Sequence, residues 1–353
     1  MRIDGRAIGA ETPYFIAEAG VNHNGDLDLA EELIDAAATA GSDAVKFQTF
    51  AAARLVTRAA EKAEYQQEQG DEESQYDMLE RYELDRSAHE RLQMYASKRG
   101  ITFLSTPFDA ESADLLDAID VPAVKVGSGE LDNYPLLERI AGFGRPMIVS
   151  TGMGTMEEVH DARGVIRNVD PDVPLVFLHC TSAYPSTVDD MNLRAMETME
   201  EELPEPIGYS DHTTLPETPA IAVAAGACVV EKHFTLDRTL PGPDHEASLE
   251  PNELARAVEL VDVAARALGS ASKEPVEAEL ENVTVVRKSL HAAVDVPAGT
   301  VLGEGDVQIL RPADGLSPRY YHSVIGAETT RDLTAGEPIG EDDVSVTPDR
   351  DDV

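Results

Sequence analysis

Two histidines follow successive apolar segments of the chain, at the points where a barrel enzyme places metal ligands. His212 stands two residues after Ser210, and His233 stands two residues after Glu231. A lone histidine at a strand end is more often a hydrogen-bonded core residue than a ligand. Two on adjacent strands, with Glu231 on the same face as His233 by strand alternation, favour a divalent metal site. Because only two protein ligands are evident, water and substrate would complete the coordination of a Lewis acid.

Three lysines fall in apolar segments that we predict to be buried strands: Lys46, Lys125 and Lys232. A single buried lysine is most simply explained by a salt bridge to an internal carboxylate. Lys46 and Lys125 together, in the company of Ser128 and Ser150, favour a binding site for a small dianion. Glycines next to both serines would let backbone amides approach that anion.

Eight short apolar segments carry these polar residues at their ends. The segments are nearly continuous and rich in β-branched residues, as buried parallel strands are. Stretches with helical spacing lie between them, so we predict a (β/α)8 TIM barrel with its catalytic face at the carboxyl ends of the strands. An open doubly wound sheet is the alternative, but no glycine-rich phosphate turn follows the first strand. The predicted strands are 14–20, 44–50, 101–105, 123–127, 147–151, 175–180, 207–210 and 228–234.

The chain changes character after the last helical stretch. Small and polar residues open a predicted linker at 271–286, between a barrel domain at 1–270 and a second domain at 287–353. In the second domain, short strands joined by Pro/Gly turns predict a small β-rich module. Two similar turn sequences begin at Val296 and Leu333 and resemble an internal repeat. A module of this size has only modest stability alone.

The composition is strongly acidic, with 67 Asp and Glu against 28 Lys and Arg and a formal net charge of -39. At molar salt the Debye length falls to about 3 Å, which screens the resulting repulsion. A salt-rich cytoplasm, and hence a halophilic protein, is the simplest explanation. A basic partner is the alternative, but the charge is spread along the chain. Nucleic acid is not an expected partner.

Cysteine usage and hydropathy indicate the setting. Cys180 and Cys228 both lie in apolar strand contexts, and we expect buried free thiols. No signal peptide opens the sequence, and no apolar segment approaches the roughly 20 residues needed to span a bilayer. These features predict a cytoplasmic protein with no membrane partner.

Eight ordered motifs resemble those of the sialic acid synthases, the N-acetylneuraminate synthase family, across essentially the whole chain. The C-terminal region resembles the antifreeze-like, or SAF, domain that this family carries. The motifs are EAGVNHNG at 18–25, VKFQT at 45–49, STPF at 105–108, KVGSGE at 125–130, STGM at 150–153, HCTSAYP at 179–185, YSDHT at 209–213, and EKHF at 231–234 with PGPD at 241–244.

The resemblance implies a condensation of phosphoenolpyruvate with an open-chain N-acetylmannosamine-type sugar, giving a nine-carbon 2-keto acid and phosphate. It implies that His212 and His233 hold Mn²⁺ or Mg²⁺, which polarises the sugar aldehyde. Glu18 and Glu231 are candidates for activating the attacking water, and Glu130 is a further candidate catalytic carboxylate that also resembles a sugar-binding position. The residues that resemble a phosphoenolpyruvate pocket are Lys46, Thr106, Lys125, Ser128, Ser150, Ser182 and Ser210; those that resemble sugar-binding positions are Gln48, Tyr184 and Asp244.

The family likeness also implies a domain-swapped homodimer, in which Arg311 of the small domain reaches the sugar in the partner subunit. Two departures from the family pattern bear on the identity of the sugar. Residues 47–50 contain no histidine where some N-acetylneuraminate synthases carry histidines, and Asn24 stands where some carry an acid. A legionaminic acid synthase acting on 2,4-diacetamido-2,4,6-trideoxymannose is therefore the alternative. A 6-phosphorylated sugar is less favoured because no extra basic cluster is evident. Tyr184 and the acidic segment 61–83 are candidate determinants of the choice.

Two hypotheses from other classes stay open. A Schiff-base aldolase or lyase would use Lys125 as its nucleophile and would need no metal. A non-catalytic ice- or carbohydrate-binding protein is suggested by the C-terminal region alone, and it leaves the polar strand ends of the barrel unexplained. The pair of histidines argues against the aldolase or lyase.

Overall fold

The computed structural model describes residues 1–9, 11–62 and 74–345 of the chain. It divides into two compact units, the first being Met1–Gly269 and the second beginning at Ser270. Part of the acidic segment 61–83, namely residues 63–73, and residues 346–353 of the predicted second domain lie outside the described residues. None of the helices in the described ranges is both long and apolar enough to cross a membrane.

A parallel barrel sheet forms the centre of the first unit. A short hairpin of β1 (Arg2–Ile3) and β2 (Arg6–Ala7) precedes it. The eight-stranded sheet has the order β5-β4-β3-β10-β9-β8-β7-β6, and its end strands β5 and β6 lie next to each other, so that it closes nearly into a barrel. The predicted (β/α)8 fold is confirmed. The strands are β3 (Tyr14–Gly20), β4 (Ala44–Thr49), β5 (Thr102–Pro107), β6 (Val124–Val126), β7 (Met147–Ser150), β8 (Leu175–Cys180), β9 (Ile207–Asp211) and β10 (Val229–His233).

Helices follow the strands and surround the sheet. Their ends carry strong local signals: Asp26 caps the start of α1 with its carboxylate, and Gly41 ends that helix in the left-handed conformation. Thr155 and Glu158 form a capping box at the start of α7. The helices are α1 (Leu27–Ala40), α2 (Ala52–Leu55), α3 (Gln75–Tyr82), α4 (Arg86–Arg99), α5 (Ala110–Ala118), α6 (Tyr134–Ala141), α7 (Met156–Val169), α8 (Ala195–Glu202), α9 (Thr218–Ala224) and α10 (Pro251–Leu268).

The alternation of side chains along each strand separates two apolar cores. One core lies between the sheet and the helices and includes Phe47 and Phe177. The other fills the barrel interior, where Ile16 and Leu104 meet Ile3 of the N-terminal hairpin. Residues two positions further along the same faces are charged or polar, because alternate residues of a strand share a face. The interior is therefore apolar at the amino ends of the strands and ionic at their carboxyl ends.

The second unit is built from short elements around its own core. Helix α11 (Leu280–Val286) lies in the second half of the predicted linker 271–286, which is therefore helical there. Strands β11 (Ser289–Ala292) and β12 (Val307–Leu310) pair antiparallel, and the short helix α12 (Tyr321–Val324) follows. The two similar turn sequences pair with each other, since Val296 and Leu333 exchange both backbone hydrogen bonds at 2.8 Å.

Candidate active site

A pocket of about 550 Å³ opens at the carboxyl ends of the barrel strands. Most of the side chains that the sequence predicted as functional converge on it, although they come from all eight barrel strands and the loops that follow them. The predicted residues that line it are Glu18, Lys46, Gln48, Thr106, Lys125, Ser128, Ser150, Ser182, Tyr184, Ser210, His212, Glu231, His233 and Asp244.

Four buried charges form the floor of the pocket. Lys46 Nζ lies 2.6 Å from Glu18 Oε2 and 3.7 Å from Glu231 Oε2. Lys125 Nζ lies 3.7 Å from Glu231 Oε1 and donates a 2.7 Å hydrogen bond to Ser150 Oγ. Two lysines thus balance two carboxyl groups.

The protonation of these groups follows from burial and from their neighbours. Burial raises the pKa of Glu18 above its usual range, against the opposing charge of Lys46. Burial also acts to raise the pKa of Glu231, but the charges of Lys125 and Lys46 outweigh it and hold that pKa below its usual range. Burial lowers the pKa of Lys125, whereas the carboxylates of Glu18 and Glu231 outweigh burial at Lys46 and raise its pKa. The two carboxyl groups are therefore chemically distinct.

Hydroxyl groups and a glycine surround Lys125. The Gly152 backbone N–H donates to Ser128 Oγ at 3.0 Å. Ser182 Oγ is buried with no hydrogen-bond partner among the described residues. A Cβ at Gly152 would collide with Ser182 Oγ, Cys180 Sγ and Ser128 Oγ, so only glycine leaves these groups free to approach an anion. This part of the pocket has the hydroxyl donors and the cation that phosphate binding needs.

The two histidines lie together above the charged floor. The rings of His212 and His233 are 5.4 Å apart between centroids, and the Tyr184 ring lies 4.2 Å from the His212 ring. Burial lowers the pKa of His212, and burial with the neighbouring His212 ring lowers the pKa of His233 well below its usual range. Both imidazoles are therefore neutral at neutral pH, which is the form that binds metals.

The hydrogen bonds of His212 fit the role of a metal ligand. Its Nδ1 lies 2.6 Å from the Thr181 carbonyl oxygen, and a neutral ring can satisfy that acceptor only by donating from Nδ1. The lone pair then resides on Nε2, as in histidines oriented by an outer hydrogen bond. In the described parts of the chain, no group of three or more His, Cys, Asp or Glu converges as a closed metal cage. The pair fits a divalent ion that keeps open positions for water and substrate.

Comparison with known proteins assigns this arrangement to a family. Residues 33–273 match the NeuB family, and residues 287–345 match the SAF domain. The first match covers more than half of the chain. The chain belongs to the NeuB family. The resemblance to sialic acid synthases, with a C-terminal SAF domain, is thereby confirmed.

Relatives of this NeuB-family chain are similar over nearly their whole length. An N,N'-diacetyllegionaminic acid synthase of Legionella pneumophila is 45% identical over 330 residues, which are 92% of each chain. One of Campylobacter jejuni is 43% identical over 328 residues, covering 92% of this chain and 98% of that protein. A solved N-acetylneuraminic acid synthetase of Leptospira borgpetersenii is 35% identical with a TM-score of 0.72, covering 80% of this chain and 94% of that chain.

Two predicted site residues lie outside the NeuB-family pocket. Glu130 does not line it; its half-buried carboxylate instead accepts a 2.6 Å hydrogen bond from Asn133 Nδ2, in the turn that leads to α6. The lining includes Gly129 but ends before Glu130, and the catalytic or sugar-binding role of Glu130 stays a prediction. Arg311 belongs to the second unit and is not part of the pocket lining in the first.

The third strand lysine has a structural role. Lys232 is fully buried, with its Nζ 3.0 Å from Asp211 Oδ2 and 2.9 Å from Thr213 Oγ1. It alternates with Glu231 and His233, so it faces the helices rather than the pocket. The two thiols, Cys180 and Cys228, are buried and free, as the sequence predicted.

The apolar residues on one side of the pocket were not predicted individually, although the segment 61–83 was a candidate determinant of the sugar. The long segment between β4 and β5 contributes Leu55, Met78, Leu79 and Tyr82 to the lining, and Phe108 follows β5. The detectable signal is a set of apolar residues at 50–56 and 76–82 within an otherwise polar, acidic stretch. These residues form a small cluster of their own, separate from both barrel cores.

A buried polar network beside the pocket was also missed. The Asn22 amide donates to the Phe234 carbonyl oxygen at 2.8 Å and to Ser248 Oγ at 3.0 Å. Ser248 Oγ donates to the carbonyl oxygen of Asp244 at 2.5 Å. His245 Nε2 lies 3.2 Å from Asn24 Oδ1. The network joins the loop after β3 to the loop that carries Asp244, and the signal for it was the proximity of these residues to the 18–25 and 241–244 motifs.

Proposed function

We propose that this NeuB-family enzyme condenses phosphoenolpyruvate with an N-acyl amino sugar to give a nine-carbon 2-keto acid and inorganic phosphate. The observation that carries the proposal is the buried floor of Lys46 and Lys125 with serine hydroxyls, directly beside two neutral histidines. The lysines supply positive charge for the carboxylate and phosphate of phosphoenolpyruvate. The histidines and the open volume supply a place for a second, neutral substrate.

The chain's own groups account for the steps at carbon. Lys125 with Ser150, Ser128 and Ser182 would hold the phosphate, so that the enol carbon faces the acceptor aldehyde. Attack by that carbon moves the aldehyde's π electron pair onto the aldehyde oxygen, which takes up a proton to become a hydroxyl group. It leaves positive charge at the carbon that bears the phosphate oxygen, which the nearby carboxylate of Glu231 would stabilise. Water then adds at this carbon, and Glu18 or Glu231 would take its proton. Loss of phosphate from the resulting adduct yields the keto acid.

We propose that His212 and His233 bind a divalent ion, Mn²⁺ or Mg²⁺. When bound, the ion would supply Lewis acidity at the acceptor aldehyde. A test that needs no activity assay is metal binding itself. Mn²⁺ should bind the full-length protein and raise its melting temperature. A His212→Gln/His233→Gln double variant should lose this binding, and unchanged Mn²⁺ affinity in that variant would refute the assignment.

For the acceptor, the relatives favour 2,4-diacetamido-2,4,6-trideoxymannose. Two relatives named N,N'-diacetyllegionaminic acid synthase share 45% and 43% identity over 92% of this chain. N-acetylmannosamine is the second candidate, because a sialic acid synthetase shares the fold and 35% identity. We further propose that Arg311 completes the acceptor site of a partner subunit in a domain-swapped homodimer, on the basis of the family likeness.

A Schiff-base lyase through Lys125 is the candidate of another class, because burial lowers the pKa of that lysine and so favours its nucleophilic form. Trapping with borohydride in the presence of pyruvate tests it. We expect no covalent adduct on Lys125, and stoichiometric labelling would favour the lyase.

The direct test of the proposed function is phosphate release from phosphoenolpyruvate in concentrated salt with added Mn²⁺. Release should require one of the two acceptors and should stop when a chelator is added. A nine-carbon acid should form in equal amount. Phosphate release at the same rate with and without an acceptor sugar would contradict the proposal.

A further inference from the structure

The pocket has two chemically different sides. The barrel floor is ionic, as described above. The opposite side, here called the apolar wall, consists of Val21, Leu55, Met78, Leu79, Tyr82 and Phe108. Apolar side chains are the usual lining of ligand pockets, and they favour the parts of a substrate that carry no hydrogen-bonding group.

The wall is a packed part of the fold. Val21, Met78 and Tyr82 are buried in one cluster with Phe50, and Leu55, Leu79 and Phe108 pack against it while partly exposed to the pocket. Phe50 and Phe108 meet edge to face with centroids 6.1 Å apart.

Two contacts position the helices that carry the wall. The Ala52 N–H donates to Glu83 Oε1 at 2.6 Å, which ties α2 to the end of α3. Gly25 lies directly against the Arg81 carbonyl oxygen. The apolar side chains are therefore held in place as a preformed surface.

The distribution of charge limits what can lie against this wall. Among the described lining residues the only lysines or arginines are Lys46 and Lys125, and both face the carboxyl groups of the floor. Gln48 and Asp244, which resemble sugar-binding positions of the family, include an acid that would repel a phosphate. Apart from the divalent ion and the partner's Arg311 proposed above, a phosphorylated acceptor would thus meet an apolar surface and a carboxyl group, and no further cation, within the described lining.

We propose that the apolar wall is the specificity-determining surface of the acceptor site, and that it selects sugars bearing methyl groups, in the form of a 6-deoxy carbon and N-acetyl groups. This inference rests on the proposed function. A hydroxymethyl group in place of a methyl group would bring an unpaired hydroxyl against apolar side chains, and a phosphate would be excluded more strongly. A methyl-sized difference in an apolar pocket is worth about 10- to 200-fold in kcat/KM.

The test measures phosphate release by the full-length protein with three acceptors: 2,4-diacetamido-2,4,6-trideoxymannose, N-acetylmannosamine and N-acetylmannosamine 6-phosphate. Wild type should prefer the deoxy sugar, with the phosphorylated sugar the poorest. Leu79→Gln and Leu55→Gln should each reduce that preference about tenfold by raising the KM for the deoxy sugar, with the KM for phosphoenolpyruvate unchanged. The matched control is Leu115→Gln, since Leu115 is also partly buried but packs against the outer core, away from the pocket.

The outcomes separate the inference from the function on which it rests. If wild type uses the phosphorylated sugar or N-acetylmannosamine as well as the deoxy sugar, the inference fails and the synthase function stands. The same holds if both wall variants keep the wild-type preference. If no acceptor elicits phosphate release from folded wild type, both fail. Loss of preference in Leu115→Gln as well would show a general packing effect and overturn the assignment.

Discussion

At the scale of single residues, the function of each buried lysine follows from the direction in which its strand presents it. Lys125 points into the pocket with Ser150, whereas Lys232 points outward to Asp211. Both lysines lie in apolar segments that the sequence predicts to be strands. Only the register of each strand decides whether its lysine faces the pocket or the helices. The sequence allowed both a salt-bridge role and an anion-binding role. Both lysines have a carboxylate neighbour in the structure, but only Lys125 faces the pocket, and its anion-binding role stays a prediction.

Substitution of Lys125 should therefore change substrate affinity, whereas substitution of Lys232 should change the stability of the fold. Lys125→Met should weaken phosphoenolpyruvate binding by about 10- to 150-fold, because charged hydrogen bonds contribute roughly 1.5–3 kcal/mol each. Lys232→Met should lower the free energy of unfolding, since it leaves Asp211 buried without its cation, with the affinity of the folded fraction unchanged. Calorimetric titration and denaturant unfolding measure the two effects. Equal losses of affinity in both variants would contradict the assignment.

His23 makes a pH-dependent contribution to stability. Burial lowers its pKa to about 4, and the Gly25 N–H donates to its Nδ1 at 3.0 Å, so the folded state holds it neutral. Between about pH 6.5 and 4 the histidine is protonated in the unfolded chain but stays neutral in the folded chain. The free energy of unfolding therefore falls as the pH falls through this window. From pH 7.5 to 5 we expect wild type to lose roughly 2 kcal/mol relative to His23→Asn, which does not titrate. Parallel stability curves for the two proteins would show that His23 is protonated in the folded state.

At the scale of elements, the barrel strands were predictable, whereas the segment 61–83 was only a candidate determinant of the sugar and its apolar wall was not predicted. The predicted strands at 14–20 and 175–180 coincide with β3 and β8, because continuous apolar runs ending in polar residues are characteristic of buried parallel strands. The ends of β4 and β10 differ from prediction by one residue, where apolar loop residues such as Phe50 and Phe234 extend the pattern. Helices α2 and α3 have no such pattern, since they are short and pack through a separate small cluster. Their role depends on contacts distant in sequence.

Gly25 links the first strand loop to α3 and offers a test of that arrangement. Gly25 and Gly100 have nearly the same φ, 75° and 73°. A Cβ added at Gly25 would collide with the Arg81 carbonyl oxygen, whereas a Cβ added at Gly100 would have no atom within 4 Å. Gly100→Ala should cost about 1–2 kcal/mol from backbone strain alone. Gly25→Ala should cost more and should raise the acceptor KM by displacing α3. If the two variants have the same free energy of unfolding and the same acceptor KM, the close approach of Gly25 to Arg81 does not contribute to stability or to acceptor binding.

At the scale of the whole molecule, the charge of -39 dominates the expected behaviour in solution. Repulsion between carboxylates is screened over about 10 Å at 0.1 M salt but over about 3 Å at 1 M. We therefore expect the melting temperature to be higher in about 2 M than in about 0.1 M KCl, and the halophilic setting remains a prediction. Chloride is the better choice because sulfate also strengthens apolar burial. A melting temperature that is flat or falls with KCl would contradict this explanation.

The second unit gives a further test at this scale. The predicted boundary at residue 270 lies next to the observed division at Gly269, and the composition change there provided the signal. Because the first unit has its own cores and contains the pocket, a chain lacking 287–353 should keep its fold by circular dichroism. It should be inactive if Arg311 completes the acceptor site of a partner. Full activity in this truncated chain would refute the proposed contribution of the second unit.

The central claim is that water adds at carbon and phosphate departs by cleavage of the carbon–oxygen bond. The most direct measurement uses phosphoenolpyruvate labelled with ¹⁸O at the bridging position, together with the preferred acceptor and full-length protein. The account predicts that the label leaves in inorganic phosphate, formed in equal amount with an unlabelled nine-carbon acid. Label retained in the organic product would mean cleavage of the phosphorus–oxygen bond and would contradict the account.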